Sequence, residues 1–282
     1  MTKDYGSLYI VSTPIGNLDD ITLRAIEVLN KVDLCAAEDT RVSKVLFNKY
    51  NIHTKITSYH KFSEKSKTNS LINEIKLGKD IALISDAGTP LISDPGHHFV
   101  KSAIEANISI IPIPGVTSVV TAATISGFNL ENFTFYGFFP NKEKDKKILL
   151  NKIKSSSSTS IIFESGRRIN KLLNIFENTL SSDTRLMIAR EMTKLHETVY
   201  RGDIKTVSRL INESEFGSKG EFVIVIEGIA ETFDKEISNE DKRILDILMN
   251  KLDQKLAFEI GSEILKKKRN TIYQIKIKGE PS

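Results

Sequence analysis

Short apolar runs alternate with amphipathic stretches along the chain, and this alternation constrains the fold more than any other feature. The first run, residues 7–13, is typical of a buried strand and stops at Pro14-Ile15-Gly16-Asn17. The first half of the chain predicts strands at 7–13, 34–37, 56–59, 80–85 and 108–113, and helices at 21–32, 40–50, 63–77, 97–106 and 116–125. Strands and helices that alternate at this spacing indicate an α/β fold with a mainly parallel, covered sheet.

A second pattern begins near Phe133 and predicts strands at 133–139, 160–163, 185–189, 198–201 and 221–227, and helices at 142–154, 168–180 and 204–212. The composition changes after Gly228, and residues 239–268 are predicted to be helical. Because 282 residues suggest about two domains, we predict an N-terminal α/β domain at 1–115, a second α/β domain at 116–236, and a basic helical C-terminal extension at 237–282.

The composition argues against several classes of protein. The single cysteine, Cys35, excludes an internal disulfide and a Cys-rich zinc site, and it favours a reducing, cytoplasmic compartment. The first residues lack the apolar run of a signal peptide, and no stretch reaches the roughly 18 apolar residues of a membrane span. Neither G-x-G-x-x-G nor G-x-x-x-x-G-K-[ST] occurs, which argues against nicotinamide and P-loop nucleotide binding. A net charge of +4 is too small to indicate a nucleic-acid-binding protein by itself.

The loop from Ser85 to Gly96 is the strongest candidate for a ligand site. It follows a predicted strand and holds two carboxylates, two glycines and two prolines, so a backbone-lined site is favoured over a simple crossover loop. Asp86 would be available to a hydroxyl or a cation. The segment Pro114-Gly115-Val116-Thr117-Ser118 also follows a strand, but from this motif alone a helix N-cap is the more probable interpretation.

Charged residues follow other predicted strands. The run Ala37-Glu38-Asp39-Thr40-Arg41 either begins a helix or lines a cleft, with Arg41 binding phosphate and a carboxylate accepting a proton, and both interpretations stay open. Paired arginines in Phe163-Glu164-Ser165-Gly166-Arg167-Arg168 suit a phosphate backbone. His60 is an acid–base group or a solvated loop residue, and its type alone favours the second. His97 and His98 lack a partner at metal-ligand spacing, so no metal is expected.

Four long motifs carry a resemblance to a known family: residues 9–18, residues 36–41, the loop Ser85 to Gly96, and Arg190-Glu191-Met192-Thr193-Lys194-Leu195-His196-Glu197. In order and spacing they resemble the bacterial ribosomal RNA small subunit methyltransferase I family, within the tetrapyrrole methylase superfamily. The resemblance implies two α/β domains with a cofactor cleft between them and a small helical C-terminal extension. It also implies S-adenosylmethionine as cofactor, a homodimer, and 2′-O-methylation of a cytidine ribose in the decoding region of 16S rRNA within the 30S subunit.

The same resemblance implies which residues form the site. It assigns cofactor binding to Pro14, Asp86, Gly88, Thr89, Pro90, Ile92, Ser93, Asp94, Thr117, Ser118, Phe163, Glu164, Ser165, Met192 and Thr193. Two loops depart from the family pattern. Gly166-Arg167 stands where Pro-His is typical, and Tyr59-His60-Lys61-Phe62 stands where a second acid and a His commonly follow.

A ribose hydroxyl is a weak acid, so a base or a nearby cation would help to remove its proton. The residues within reach of the family cleft are Glu38, Asp39, His60 and Lys194, with Glu38 and Asp39 preferred. The predicted RNA contacts are Arg41, Arg167, Arg168, Lys266, Lys267, Lys268 and Arg269, and basic patches lie at 142–154 and 264–278. The alternatives are a tetrapyrrole methyltransferase, which the basic tail argues against, and a non-catalytic RNA-binding assembly factor, which the Gly88–Gly96 loop argues against.

Overall fold

The computed structural model describes residues 5–61, 63–228, 239–265, 267 and 272. The chain divides into two compact units, Met1–Gly228 and Ile229–Ser282. Among the residues that the structure describes, the first unit contains two five-stranded sheets and the second contains two helices. In the part of the chain that the structure describes, no helix has the length and hydropathy needed to cross a lipid bilayer.

The first sheet is entirely parallel, as the strand–helix alternation predicts, with the strand order β3-β2-β4-β1-β5. Its strands are β1 (Ser7–Val11), β2 (Leu34–Ala37), β3 (Ile56–Ser58), β4 (Ile81–Ile84) and β5 (Ser109–Ile113). Along the chain they alternate with α1 (Leu23–Lys31), α2 (Thr40–Lys49), α3 (Glu64–Lys76) and α4 (His97–Glu105), and a 3₁₀ turn (Leu18–Asp20) precedes α1.

Helices cover both faces of this sheet. Strand β4 is apolar at every position because its residues pack on both faces. Ala82 and Ile84 pack in one core with residues of α1 and α2, whereas Ile81 and Leu83 pack in a second core with residues of α3 and α4. Successive strand residues point to opposite faces, so a sheet covered on both sides requires apolar residues at every position.

The second sheet is mixed, with the strand order β6-β7-β10-β8-β9. Its strands are β6 (Phe133–Phe138), β7 (Thr159–Ser165), β8 (Arg185–Arg190), β9 (Thr198–Asp203) and β10 (Glu221–Ile226), and its helices are α5 (Ser118–Thr124), α6 (Glu143–Lys154), α7 (Gly166–Thr179) and α8 (Ile204–Glu213). β6 and β7 are parallel, and β10 lies antiparallel between β7 and β8. One face packs on α6, α7 and α8, and the other on α5 and on Ile15 from the loop after β1. The predicted boundary at residue 115 falls between β5 and α5, and this division of the first unit stays a prediction.

The described residues of the second unit include α9 (Asn239–Met249) and α10 (Gln254–Leu265), which pack together through Leu245 and Phe258, and Ile272 joins the same core. The predicted helical stretch 239–268 is therefore interrupted. Asp253 explains the interruption, because its side chain accepts a hydrogen bond from Leu256 N (3.1 Å) and begins a new helix.

Candidate active site

A cavity of about 370 Å³ lies within the Met1–Gly228 unit, between the loops that follow β1, β4 and β5 and the ends of β7, β8 and β10. β1, β4 and β5 are adjacent parallel strands, so their carboxyl ends meet where open α/β sheets bind ligands. The volume lies in the range of small-molecule sites, roughly 300–1,000 Å³. The lining residues are Ile15, Ala87, Gly88, Thr89, Ile92, Ser93, Asp94, Thr117, Ser118, Phe138, Phe163, Glu164, Ser165, Ala189, Glu191, Met192, Lys194, Glu221, Phe222 and Val223.

Hydrogen bonds connect the loops that follow β1, β4 and β5. Thr13 and Gly88 exchange backbone hydrogen bonds of 2.9 and 3.0 Å. The Thr89 hydroxyl lies 2.9 Å from the Ser12 hydroxyl and donates to the Val116 carbonyl at 3.2 Å. Gly88 has a φ of +81°, which glycine adopts without strain. The walls on this side are therefore held in place by the protein itself.

Non-glycine residues in the left-handed region occur in both loops that face each other across the cavity. Leu91 and Ser93, after β4, each have a φ of +73°, and Glu191 and Thr193, after β8, have φ values of +51° and +63°. Such conformations cost about 1–3 kcal/mol each and cluster at functional sites. The strain therefore points to the same two loops as the cavity does.

The loop after β1 contacts the loop after β8 directly. Asn17 N donates to Thr193 Oγ1 at 3.0 Å. A Cβ added to Gly16 would lie 2.5 Å from Lys194 Cγ and 2.8 Å from the Met192 carbonyl oxygen, so only glycine allows this approach. This contact joins a first-sheet loop to a second-sheet loop beside the cavity.

An acidic cluster of Glu38, Asp86 and Asp94 lies at the first-sheet side of the site. Burial raises the pKa of Asp94 to about 6, with a further contribution from the charge of Glu38 and a smaller one from Asp86. Burial and the charge of Asp86 also raise the pKa of Glu38, and burial raises the pKa of Asp86. Asp94 lines the cavity, so a cation bound there would relieve the repulsion among the three carboxylates.

The environment of Asp39, one of the two preferred candidates for a base, disfavours that role. Its carboxylate caps α2 by accepting from Arg41 N at 2.8 Å, and it also pairs with the Arg41 guanidinium at 2.6 Å. These interactions hold the pKa of Asp39 at about 2. Arg41 itself is 88% exposed. His60 lies close enough for its charge to lower the pKa of Glu38, against the larger effect of burial.

Lys194 lines the cavity as a cation and not as a base. Its Nζ lies 3.0 Å from Glu191 Oε1 and 2.8 Å from Glu221 Oε2. Burial lowers the pKa of Lys194, but the hydrogen bonds from Lys194 to Glu221 and Glu191 outweigh this and leave the pKa raised. Its predicted catalytic role is thereby limited to that of a positive charge.

The paired arginines after β7 have different environments, and the guanidinium of Arg168, a predicted phosphate contact, already has protein partners. Its Nε donates to Glu164 Oε1 at 2.7 Å and its Nη2 to the Phe139 carbonyl at 3.0 Å, while Nη1 donates to Asn141 Oδ1. The Glu164 side chain is only 1% exposed, so Arg168 neutralises a buried carboxylate in the cavity wall. Arg167, the neighbouring residue, is exposed.

In the C-terminal unit, Lys267 is buried and its Nζ lies 3.3 Å from Asp241 Oδ2. This placement does not fit the predicted RNA contact. The other three predicted contacts of the tail, Lys266, Lys268 and Arg269, lie outside the described residues. Within residues 5–61, 63–228, 239–265, 267 and 272, no three His, Cys, Asp or Glu side chains are grouped to hold a metal ion.

The sequence model of the Tetrapyrrole (Corrin/Porphyrin) Methylases matches residues 7–208. The chain belongs to this family. Within it, the chain is 42% identical to "Ribosomal RNA small subunit methyltransferase I" of Haemophilus influenzae, over 97% of each chain. It is 38% identical to the protein of the same name from Escherichia coli O157:H7, over 95% of this chain and 94% of the other.

Solved structures agree with the fold of the family. The cobalamin biosynthetic enzyme cobalt precorrin-4 methyltransferase matches 78% of this chain and 94% of its own, with a TM-score of 0.60 and 20% identity. Uroporphyrin-III-C-methyltransferase from Thermus thermophilus matches 78% and 94%, with a TM-score of 0.56 and 17% identity. The predicted α/β fold of the tetrapyrrole methylase type and the predicted family are therefore confirmed.

The protein is a methyltransferase that depends on S-adenosylmethionine, which confirms the expected cofactor. The cavity residues fit this group. Ile15, Met192 and Val223 offer an apolar wall to an adenine ring, and Thr89 offers a hydroxyl to polar groups of the ligand. Asp94, whose pKa burial raises, is suited to balance the positive charge of a sulfonium or an ammonium group.

Most of the residues predicted to bind the cofactor line the cavity: Gly88, Thr89, Ile92, Ser93, Asp94, Thr117, Ser118, Phe163, Glu164, Ser165 and Met192. The others support the wall without lining it. Thr193 accepts from Asn17 N, and Asp86 accepts from Asp39 N at 2.8 Å. Pro14 and Pro90 are buried beside Ile15 and Thr89 in the chain.

Eight lining residues were not predicted: Ile15, Ala87, Phe138, Ala189, Glu191, Glu221, Phe222 and Val223. Ile15, Ala87 and Glu191 are chain neighbours of predicted residues, so the motifs themselves were a signal for them. The β10 residues Glu221, Phe222 and Val223 carried no such signal, because they belong to a run that reads as an ordinary buried strand.

Proposed function

We propose that this protein transfers a methyl group from S-adenosylmethionine to the 2′-hydroxyl of a cytidine ribose in the decoding region of 16S rRNA within the 30S subunit. The observation that carries the proposal is the near full-length similarity to proteins named ribosomal RNA small subunit methyltransferase I, at 38–42% identity for the first relatives. The similarity spans the loops after β1, β4 and β8 that surround the cavity. We also propose that the protein works in the cytoplasm as a homodimer.

The cofactor is proposed to occupy the 370 Å³ cavity. S-adenosylmethionine supplies an electrophilic methyl group on a sulfonium centre when it is bound. The chain's own task is then to hold an oxygen in line with that methyl group and to exclude competing water. The strained and hydrogen-bonded loops that bear Ser93 and Thr193 suit this task, because a preformed wall fixes the ligand without further ordering.

We assign the removal of the ribose proton to Glu38. Burial and the charge of Asp86 raise the pKa of Glu38, and a carboxylate with a raised pKa is a better proton acceptor than an ordinary one. Asp39, with a pKa of about 2, serves instead to cap α2 and to orient Arg41. His60 is proposed to balance the charge of the ionised Glu38 carboxylate before it accepts the proton, and Lys194 to supply positive charge at the opposite wall.

Arg41 and Arg167 are the proposed phosphate contacts in the first unit, because both are exposed. Exposed lysines of α6 add positive charge over residues 142–154, with the exception of Lys146, which is buried and pairs with Glu143 at 2.6 Å. The tail residues Lys266, Lys268 and Arg269 stay predicted contacts.

The test is incubation of the protein with labelled S-adenosylmethionine and 30S subunits purified from a strain that lacks the modification. Label that maps to a cytidine ribose in the decoding region supports the proposal. Label on a base, label elsewhere in the subunit, or no transfer despite cofactor binding in a calorimeter would refute it.

A further inference from the structure

Two loops of the second sheet present stacked rings at the protein surface. Residues 191–197 follow β8, and residues 214–220 precede β10. The rings of His196 and Phe216 are stacked with centroids 5.6 Å apart and planes at 21°, and Lys219 Nζ lies 5.7 Å from the centroid of Phe216. Phe216 is 40% exposed, and His196 is exposed. An exposed aromatic pair beside a cation is suited to stacking with an unpaired nucleobase.

A second depression, of about 450 Å³, adjoins this ring pair through Lys219. It is lined by Ser165, Gly166, Arg167, Ser218, Lys219 and Gly220. Arg167 and Lys219 are the charged side chains of this lining, so its charge complements a phosphate. Ser165 also lines the 370 Å³ cavity, so the two depressions share a wall.

The two loops are held in this arrangement by a buried arginine. Arg190 is 5% exposed, and it donates from Nε to the Lys219 carbonyl at 2.7 Å and from Nη1 to the His196 carbonyl at 3.0 Å. Lys219 N also donates to the Phe216 carbonyl at 3.0 Å. The rings and the cation are thus positioned before any ligand arrives, which reduces the entropy cost of binding.

We propose that His196, Phe216, Lys219 and Arg167 form a subsite for single-stranded RNA. An unpaired base that flanks the methylated nucleotide stacks on the His196–Phe216 ring pair, and a neighbouring phosphate lies against Arg167 and Lys219. The subsite would hold the strand beside the wall that contains Ser165, and so present the target ribose to the cavity. This inference rests on the proposed function, and it identifies the surface that binds the RNA strand.

The chain contains no tryptophan, so Phe216→Trp introduces a unique fluorophore into the ring pair. We expect a short, unstructured RNA that contains cytidine to quench this fluorescence saturably, because a base stacks on the indole. The matched control is Phe133→Trp, at a phenylalanine on β6 that is 43% exposed. Quenching of both variants alike, or of neither, would overturn the subsite.

Loss of the rings or of the cation should weaken RNA binding without changing cofactor binding. We expect Phe216→Ala to weaken the affinity for the same RNA about 5- to 150-fold, the usual range for one stacked base. Phe216→Leu and Lys219→Ala test the same subsite with smaller changes, and Lys205→Ala, at an exposed lysine on α8, is the matched charge control. Calorimetry with S-adenosylmethionine should give wild-type affinity for all of them.

Methylation of 30S subunits separates the two proposals. Failure of the wild-type protein to methylate refutes the proposed function. Methylation by the wild type, with the RNA affinity of Phe216→Leu and Lys219→Ala equal to that of Lys205→Ala, refutes the subsite alone. Loss of 30S binding in the Phe216 variants without quenching of Phe216→Trp by RNA also refutes it, because the surface would then contact a ribosomal protein.

Discussion

Replacement of Asp94 by Asn should remove the pH dependence of cofactor binding. Asp94 lines the cavity, and burial together with the charges of Glu38 and Asp86 raises its pKa to about 6. Its carboxylate is therefore ionised above pH 6 and protonated below it. S-adenosylmethionine carries a sulfonium and an ammonium group, so the ionised form of Asp94 should bind it more tightly. Affinity should then fall as the pH decreases through 6.

The size of the expected change in cofactor affinity follows from the pKa of Asp94. With a pKa of about 6, nearly all of Asp94 is ionised at pH 8 and about a tenth at pH 5. If the ionised form provides most of the affinity, the dissociation constant rises about tenfold over this interval, or about 1.4 kcal/mol. Because Glu38 and Asp86 titrate with Asp94, the observed midpoint belongs to the cluster.

The assay is calorimetric titration of the protein with S-adenosylmethionine from pH 5 to pH 8. At pH 8 Asp94→Asn should bind at least as weakly as the wild type does at pH 5, with little change across the range. Glu38→Gln removes a neighbouring negative charge, which lowers the pKa of Asp94 and moves the wild-type midpoint to lower pH. A flat wild-type profile, or an Asp94→Asn variant that keeps the wild-type slope, would refute the reasoning.

Three further substitutions test other parts of the site. Arg168→Ala should reduce the free energy of unfolding in urea by about 3–5 kcal/mol, because it leaves the buried Glu164 carboxylate without its cation. The variant of the exposed neighbour, Arg167→Ala, should change this free energy by less than about 0.5 kcal/mol. Equal effects of the two variants would contradict a structural role for Arg168. Glu38→Gln should lower kcat for 30S methylation at pH 8 about 10²- to 10⁴-fold, with cofactor affinity unchanged at that pH because Asp94 is ionised in both proteins. Asp39→Asn, which keeps the cap, should stay near wild type. The reverse order would assign the base to Asp39. Gly16→Ala should lower the free energy of unfolding by about 1–3 kcal/mol, because the added Cβ has no room against the loop after β8. It should also weaken the binding of S-adenosylmethionine in calorimetry. A wild-type affinity would show that this contact does not shape the cavity.

The local residue pattern was sufficient to predict the strands and helices of the first sheet. The central strands β2 and β4 are buried on both faces, so each appears as a continuous apolar run, and the helices between strands show their own amphipathic period. The loops after parallel strands carry the Gly, Pro and acidic residues of the site, so the composition and position of the stretch Ser85–Gly96 alone pointed to a loop that lines the cavity.

Residue type alone did not distinguish neighbours with different environments. Glu38 and Asp39 are adjacent acids, yet Asp39 caps a helix and pairs with Arg41, and Glu38 is in the half-buried acidic cluster. Arg167 and Arg168 are adjacent cations, yet Arg168 is held by three partners around a buried carboxylate. These differences depend on the direction in which each side chain leaves the backbone and on the residues that surround it. Neither property can be predicted from a few neighbouring residues in the sequence.

The sequence by itself determined the alternating strands and helices, the family, and the loops that surround the cavity, because each of these is carried by a local run of residues. Only the tertiary structure decided the position of β10 between β7 and β8, which brings Glu221, Phe222 and Val223 into the cavity wall. It also decided the stacking of His196 on Phe216. Both depend on the pairing of segments far apart in the chain, and such pairing leaves no periodic signal in either segment.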